Sequence, residues 1–165
     1  MFGRNLLSLG VVALLTLTAC GQDPSQKFGQ SSHAVVGPPP MIAYSPRGGP
    51  IDCSTFFSLG APENLGGVTV EGNVEIFAKI DYAQNGAAAG LFMATPGTVQ
   101  ITFPFTEHAT ILEGEVTLTD STGKRVTYRP GDTYFIRQGE VVLWEVKGRN
   151  LVKSFFNIVE AAPQN

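Results

Sequence analysis

From Thr55 to the end of the chain, apolar runs are short and each one stops at a turn signal. Val68-Thr69-Val70, Val74 to Ile80 and Gly90 to Ala94 are the first of these runs. Thr98 to Phe103 alternates polar with apolar residues, the period of a strand with one buried face. Ala109 to Leu118, Arg125 to Tyr128, Thr133 to Ile136, Glu140 to Val146 and Leu151 to Val159 continue the series. Asp120-Ser121-Thr122-Gly123 and Arg129-Pro130-Gly131-Asp132 carry the chemistry of tight turns. No helical period of useful length follows residue 20. A single sheet of this many strands would leave one apolar face wet, so the strands must close into a sandwich or barrel. The expectation is an all-β domain.

Composition agrees with that reading. The 165 residues include 19 Gly and 11 Pro, and charged residues make up 15%, too few for long solvated helices. A net charge of −3 with no cluster of Lys and Arg gives no footprint for phosphate backbones, so nucleic acid is excluded as a partner.

Residues 1–19 have a different origin. Arg4 precedes an apolar run from Leu6 to Ala19, which is too short to span a ~30 Å hydrocarbon core comfortably. The run ends in Leu17-Thr18-Ala19-Cys20, which resembles the lipobox of bacterial lipoproteins. The resemblance implies cleavage before Cys20, lipid on its sulfur and anchorage at a membrane surface, since acyl chains contribute ~0.8 kcal/mol per buried methylene. Gly21 in the second mature position resembles the outer-membrane sorting pattern, which implies the periplasmic face of the outer membrane in a Gram-negative host. Residues 20–53 form a Pro- and Gly-rich tether, disordered or extended, with Gly37-Pro38-Pro39-Pro40 and Ser45 to Pro50 unable to continue a regular element. Within it, Met41 to Tyr44 is apolar enough to dock on the domain as an edge strand. Residues 54–165 are the folded domain. Cys53 has only Asp52 beside it to alter its chemistry and reads as a half-buried small residue.

Several pieces of the folded part, in order and at matching spacings, resemble the cupin superfamily, specifically the cupin domain of (S)-ureidoglycine aminohydrolase. They are Thr95-Pro96-Gly97, Ile111-Leu112-Glu113-Gly114-Glu115-Val116, Leu118-Thr119-Asp120 with Gly123, Pro130-Gly131-Asp132, Gly139 and Trp144-Glu145-Val146. The resemblance covers about residues 62 to 158. It implies a single small jelly-roll barrel, the double-stranded β-helix, and pairing of two copies through sheet edges as a possible homodimer. Arg137 stands where the family usually has proline.

Metal-binding members place two histidines two apart, a glutamate four further on and a third histidine in the second motif. Counting from Glu113-Gly114 puts the glutamate at Glu107 and the first two histidine positions at Ile101 and Phe103. Counting from Gly131-Asp132 and Gly139 puts the third at Val142. With three of four ligands apolar, no metal and no other cofactor is expected. His108 follows Glu107 directly, so alternation points it to the opposite face.

Alternation from Glu107 also gives the inward set. Phe103, Val142 and Trp144 join Glu107, with Phe92 from a neighbouring strand, as the residues expected to meet a small molecule in the barrel. The same side chains could instead fill the interior, as they do in many small barrels. A carboxylate among them must be paired, hydrogen-bonded or protonated, and Arg137, Tyr134 and the Trp144 indole are its candidate partners. Three functions are compatible with these residues. The first is an envelope lipoprotein whose metal-free cupin binds a small molecule. The second is an aminohydrolase- or isomerase-like enzyme with Glu107 as the catalytic acid/base. The third is a structural envelope component.

Overall fold

The computed structural model describes residues 41–44 and 51–161. The segment read as a signal, Cys20 and most of the stretch read as a tether lie outside the described residues.

Eleven strands follow one another: β1 (Phe57–Gly60), β2 (Gly67–Glu71), β3 (Ile76–Gln84), β4 (Ala87–Ala94), β5 (Gly97–Thr102), β6 (Thr106–Glu113), β7 (Val116–Thr119), β8 (Arg125–Tyr128), β9 (Thr133–Ile136), β10 (Val141–Val146) and β11 (Leu151–Ile158). Two short 3-10 turns, Cys53–Thr55 and Pro62–Leu65, are the only helical elements among the described residues. The strands form a six-stranded sheet in the order β1-β3-β4-β11-β6-β9 and a five-stranded sheet in the order β2-β5-β10-β7-β8. Strand pairing is antiparallel throughout. The inner faces of the two sheets enclose one core, in which Ile111, Val116, Leu151 and Ala94 are fully buried. The all-β barrel expected from the sequence is the observed architecture.

Two local readings need correction. Ala109 to Leu118 is not one strand: the chain leaves the first sheet at Glu113 and enters the second at Val116. Gly114 makes that corner, with φ at +73° and a position where a Cβ would meet the Asn150 carbonyl oxygen at 2.5 Å. The second correction is a missed turn. Asn85 and Gly86, with φ of 53° and 77°, join β3 to β4 as a tight hairpin. An Asn-Gly pair suits that conformation because both residues tolerate positive φ.

Met41 to Tyr44 forms no strand. Tyr44 nevertheless reaches the barrel, where its hydroxyl donates to Asp81 at 2.5 Å. Asp81 also pairs with Lys79 at 2.7 Å. Burial pushes the Asp81 carboxyl up, but the Lys79 and Tyr44 hydrogen bonds outweigh it and hold it below its ordinary value. Cys53 is half-buried at the head of the first 3-10 turn, where the Asp52 carboxylate accepts from the Ser54 N–H at 3.0 Å.

Candidate functional site

The site is organised by β6 and β11, adjacent in the six-stranded sheet. Alternation along β6 turns Glu107, Ala109 and Ile111 inward, while His108 is exposed on the outer face beside Phe135 and Phe156. The same period along β11 turns Leu151, Lys153, Phe155 and Asn157 toward the interior. Asn157 lies opposite Glu107 and Lys153 lies opposite Ile111. Ala109 sits between the two rungs, and its small side chain leaves room for a long lysine and a glutamate to meet.

They meet closely. Lys153 Nζ lies 2.5 Å from Glu107 Oε1, with the two residues only 4% and 2% exposed. Tyr134, inward on β9 opposite Ala109, donates from its hydroxyl to the same Glu107 oxygen at 2.8 Å. Its oxygen accepts a second bond from Lys153, also at 2.8 Å. With the Asn157 amide nitrogen turned toward Glu107, it donates to Oε2 at 3.1 Å. The three ionisable groups thus form a closed triangle, with an amide completing the carboxylate. Burial pushes the Tyr134 hydroxyl well above its ordinary range, and the Glu107 charge adds to that. An isolated ion at this depth would cost tens of kcal/mol by Born solvation, so each charge relies on the other to offset its desolvation.

Aromatic rings flank the ammonium. Its nitrogen is 4.9 Å from the Phe92 ring centre, 5.4 Å from that of Tyr134 and 5.7 Å from that of Trp144. Phe92 and Trp144 pack edge to face with centroids 5.8 Å apart. These distances are within cation–π range. Beyond the rings the barrel is not filled. A cavity of ≈ 300 Å³ opens there, walled by Phe92, Phe103, Phe105, Trp144 and Phe155 and by apolar residues of β1, β3 and the Pro62–Leu65 turn. Glu107, Lys153 and Asn157 are the polar side chains on its lining.

Of the residues expected to meet a ligand, Phe92, Phe103, Glu107 and Trp144 lie on the cavity wall. Val142 does not. It faces inward as alternation requires, but is buried in the core beside the cavity, not on its wall. Tyr134 is the Glu107 partner among the three candidates. Arg137 is exposed, and the buried Trp144 Nε1 makes no hydrogen bond within the protein. Lys153 is not among the expected residues, although a signal for it is present. In Leu151-Val152-Lys153-Ser154-Phe155 the lysine shares its parity with Leu151 and Phe155, the face that period 2 sends to the core.

The cupin ligand set implied for a metal does not fit these residues. Ile101, Phe103 and Val142 occupy the histidine positions, and the remaining Glu107 already holds an ammonium at 2.5 Å. A dication would have to displace that cation and would find no imidazole beside the carboxylate. No cluster of three His, Cys, Asp or Glu that could hold a metal occurs among the described residues.

Comparison with known proteins agrees with the fold. Residues 83–155 match the family model described as the EutQ-like cupin domain. The chain is similar in structure to a protein of unknown function from Pseudomonas syringae that belongs to the DUF861 family, at 20% identity and a TM-score of 0.51, over 55% of this chain and 39% of that one. It is also similar to the EutQ protein of Clostridium difficile, at 15% identity and a TM-score of 0.47, over 52% of this chain and 69% of that one. A DUF861-family protein from Thermotoga maritima aligns at 22% identity and a TM-score of 0.38, over 41% of this chain and 75% of that one. No curated protein matches the sequence.

Proposed function

We propose, from the premise that the chain carries a cupin domain, that this domain binds a small, largely apolar molecule inside its barrel. In the same reading, lipid on Cys20 holds it at a bacterial envelope membrane, on the periplasmic face of the outer membrane if the host has one. The observation that carries the binding role is the cavity. A barrel whose side chains simply filled it would leave no space of ≈ 300 Å³ beside Phe92, Phe103 and Trp144. That volume is at the lower end of the range for ligand pockets, which suits a small molecule.

Calorimetric titration of the mature chain, residues 20–165, with ethylbenzene tests this role. Saturable binding is expected, and Trp144→Ala should weaken it ten-fold or more while circular dichroism shows a folded barrel. Absence of saturable binding by ethylbenzene and by its polar analogues on the same phenyl body alike would refute it. The membrane role rests on the sequence around Cys20. No helix long and apolar enough to cross a bilayer occurs among the described residues. Cys20→Ser should abolish labelling by radioactive palmitate and move the protein out of the membrane fraction.

A second reading is favoured by one observation, the contact of three ionisable side chains at the cavity. Glu107, with Tyr134 and Lys153 against it, has the partners that a lone acid would lack as a general acid/base. An enzyme of this kind would lose turnover on Glu107→Gln and still take up ethylbenzene.

A further inference from the structure

The charge balance of the cavity restricts what can enter it. Glu107 and Lys153 cancel one another, both buried, and no other charged side chain lies on the lining. A ligand bearing a net charge would therefore arrive as an unpaired ion in an apolar space, the costliest arrangement available to it. A sugar is disfavoured for a related reason. Its many hydroxyls would leave water for walls of phenylalanine, tryptophan and aliphatic side chains that return no hydrogen bonds.

One polar contact remains open. A lysine ammonium has three N–H donors. Lys153 directs two of them to Glu107 Oε1 and the Tyr134 oxygen, so its third has no partner in the hydrogen bonds of the site. Glu107 is more fully engaged: Lys153 and Tyr134 take one of its oxygens and Asn157 donates to the other, so at most one lone pair on Oε2 is left against a charged donor on Lys153. The Trp144 ring, not its indole N–H, is what a ligand meets, since the nitrogen itself is shut off by its neighbours.

Resting on the binding role proposed above, we infer that the ligand is a small neutral molecule with an apolar body and a single hydrogen-bond acceptor, of the ketone, ester, lactone or amide class, whose oxygen takes the third N–H of Lys153. The ammonium supplies a charge-assisted bond in a dry site, where such a bond is worth more than in water. The ion pair itself stays intact, so the occupied cavity keeps a net charge of zero.

The test is a matched series on one phenyl body: acetophenone, ethylbenzene and benzoate, each titrated calorimetrically into the mature chain, residues 20–165. That chain contains every described element, and without its acyl groups it needs no detergent to compete for apolar ligands. Acetophenone should bind about ten-fold tighter than ethylbenzene, the ratio expected for one hydrogen bond to a charged group. Benzoate should bind at least ten-fold more weakly than acetophenone. In Lys153→Met the preference for acetophenone over ethylbenzene should fall to about one. Should that variant fail to fold, acetophenone labelled with 13C at the carbonyl provides the second readout, and its resonance should move downfield on binding to the unaltered protein. Equal binding of acetophenone and ethylbenzene, or benzoate binding as tightly as acetophenone, would overturn the inference and leave the binding role standing. If none of the three binds, both fall together.

Discussion

Replacing Lys153 by methionine tests whether the buried ion pair is as dry as its geometry indicates. Methionine nearly conserves volume, so the change removes the charge without opening a large cavity. Glu107 would then remain 2% exposed with only Tyr134 at 2.8 Å and Asn157 at 3.1 Å to satisfy it. Removing one partner of a buried pair costs ~3–5 kcal/mol, and the two surviving donors place this case near 3 kcal/mol. Glu107→Gln leaves the opposite charge stranded, with Tyr134 as its remaining protein acceptor besides the new amide, and should cost about as much. The double variant differs in kind. Its amide at position 107 could accept from Tyr134 through the oxygen and donate to Asn157 once the Asn157 side chain turns over, so nothing charged stays buried and nothing polar is orphaned. The cost should be about 1 kcal/mol or less, giving a coupling of about 5 kcal/mol, at the upper end for close charge pairs. Urea unfolding of the mature chain measures all four proteins. Trp144 is the sole tryptophan and packs within the site, so its fluorescence reports the relevant region. With a urea slope of ~1–3 kcal/mol/M for a domain this small, each single variant should lower the midpoint by about 2 M. Single variants within about 0.5 kcal/mol of wild type, or additive costs in the double, would refute the picture of a desolvated, mutually dependent pair.

Three further outcomes follow from the same geometry. The Tyr134 hydroxyl is held above its ordinary range by burial and by Glu107, so above about pH 10 the unfolded chain gives up this proton before the native one does. The native state is then disfavoured at up to about 1.4 kcal/mol per pH unit, and in Tyr134→Phe that contribution is absent. The stability gap between wild type and Tyr134→Phe should therefore narrow from pH 10 to pH 11.5 in urea titrations, and a constant gap would count against the raised hydroxyl. Gly90→Ala would place a Cβ 1.9 Å from the Lys79 carbonyl oxygen, a collision with backbone that only separation of β3 and β4 relieves. A cost of ~2–3 kcal/mol and a melting point lower by about 10 °C are expected, and an unchanged melting point would show that the strands give way easily. Finally, tag-free protein purified without chelators should carry far less than one equivalent of transition metal by mass spectrometry. Near-stoichiometric metal would mean that Glu107 finds ligands the present arrangement does not offer.

Much of the fold could be read from alternation and turn chemistry, because both are local. Thr98 to Phe103 sends its odd-numbered residues inward as the period demands, and Asp120 accepts from the Thr122 and Lys124 N–H groups in the turn assigned to it. Where the reading slipped, a local pattern met a tertiary constraint. The run from Ala109 to Leu118 reads as one continuous strand, yet Gly114 carries the chain from one sheet to the other, and strand propensity says nothing about which sheet a residue joins. The site was legible in outline. The inward set and the need for a Glu107 partner both followed from period 2. Tyr134 was among the candidates, but identifying the ion-pair partner Lys153 required knowing that β11 lies between β4 and β6, a pairing of distant segments that spacing along the chain does not encode. Arg137 was a poor candidate for the same reason, since it follows β9 directly and points to solvent whatever its charge suggests.

Lys153 also explains how a barrel without the histidines can hold a buried glutamate. In the metal-binding pattern that the sequence resembles, the carboxylate sits beside a cation that the three imidazoles help to hold. Here Ile101, Phe103 and Val142 stand at the positions the resemblance gives to the imidazoles, and a carboxylate 2% exposed must find its counter-charge elsewhere. An ammonium from the last strand supplies that charge from within the chain. It needs no imidazoles, because hydrogen bonds to Glu107 and Tyr134 and the rings of Phe92, Tyr134 and Trp144 supply its surroundings. The exchange changes what the cavity can do. A metal with open positions takes anionic ligands and activates water, whereas a lysine already matched to a carboxylate offers one hydrogen bond and no net charge. Selectivity in such a pocket comes from shape and from the cost of entering charged, which is why the neutral ketone and the anionic carboxylate on one phenyl body should part so clearly.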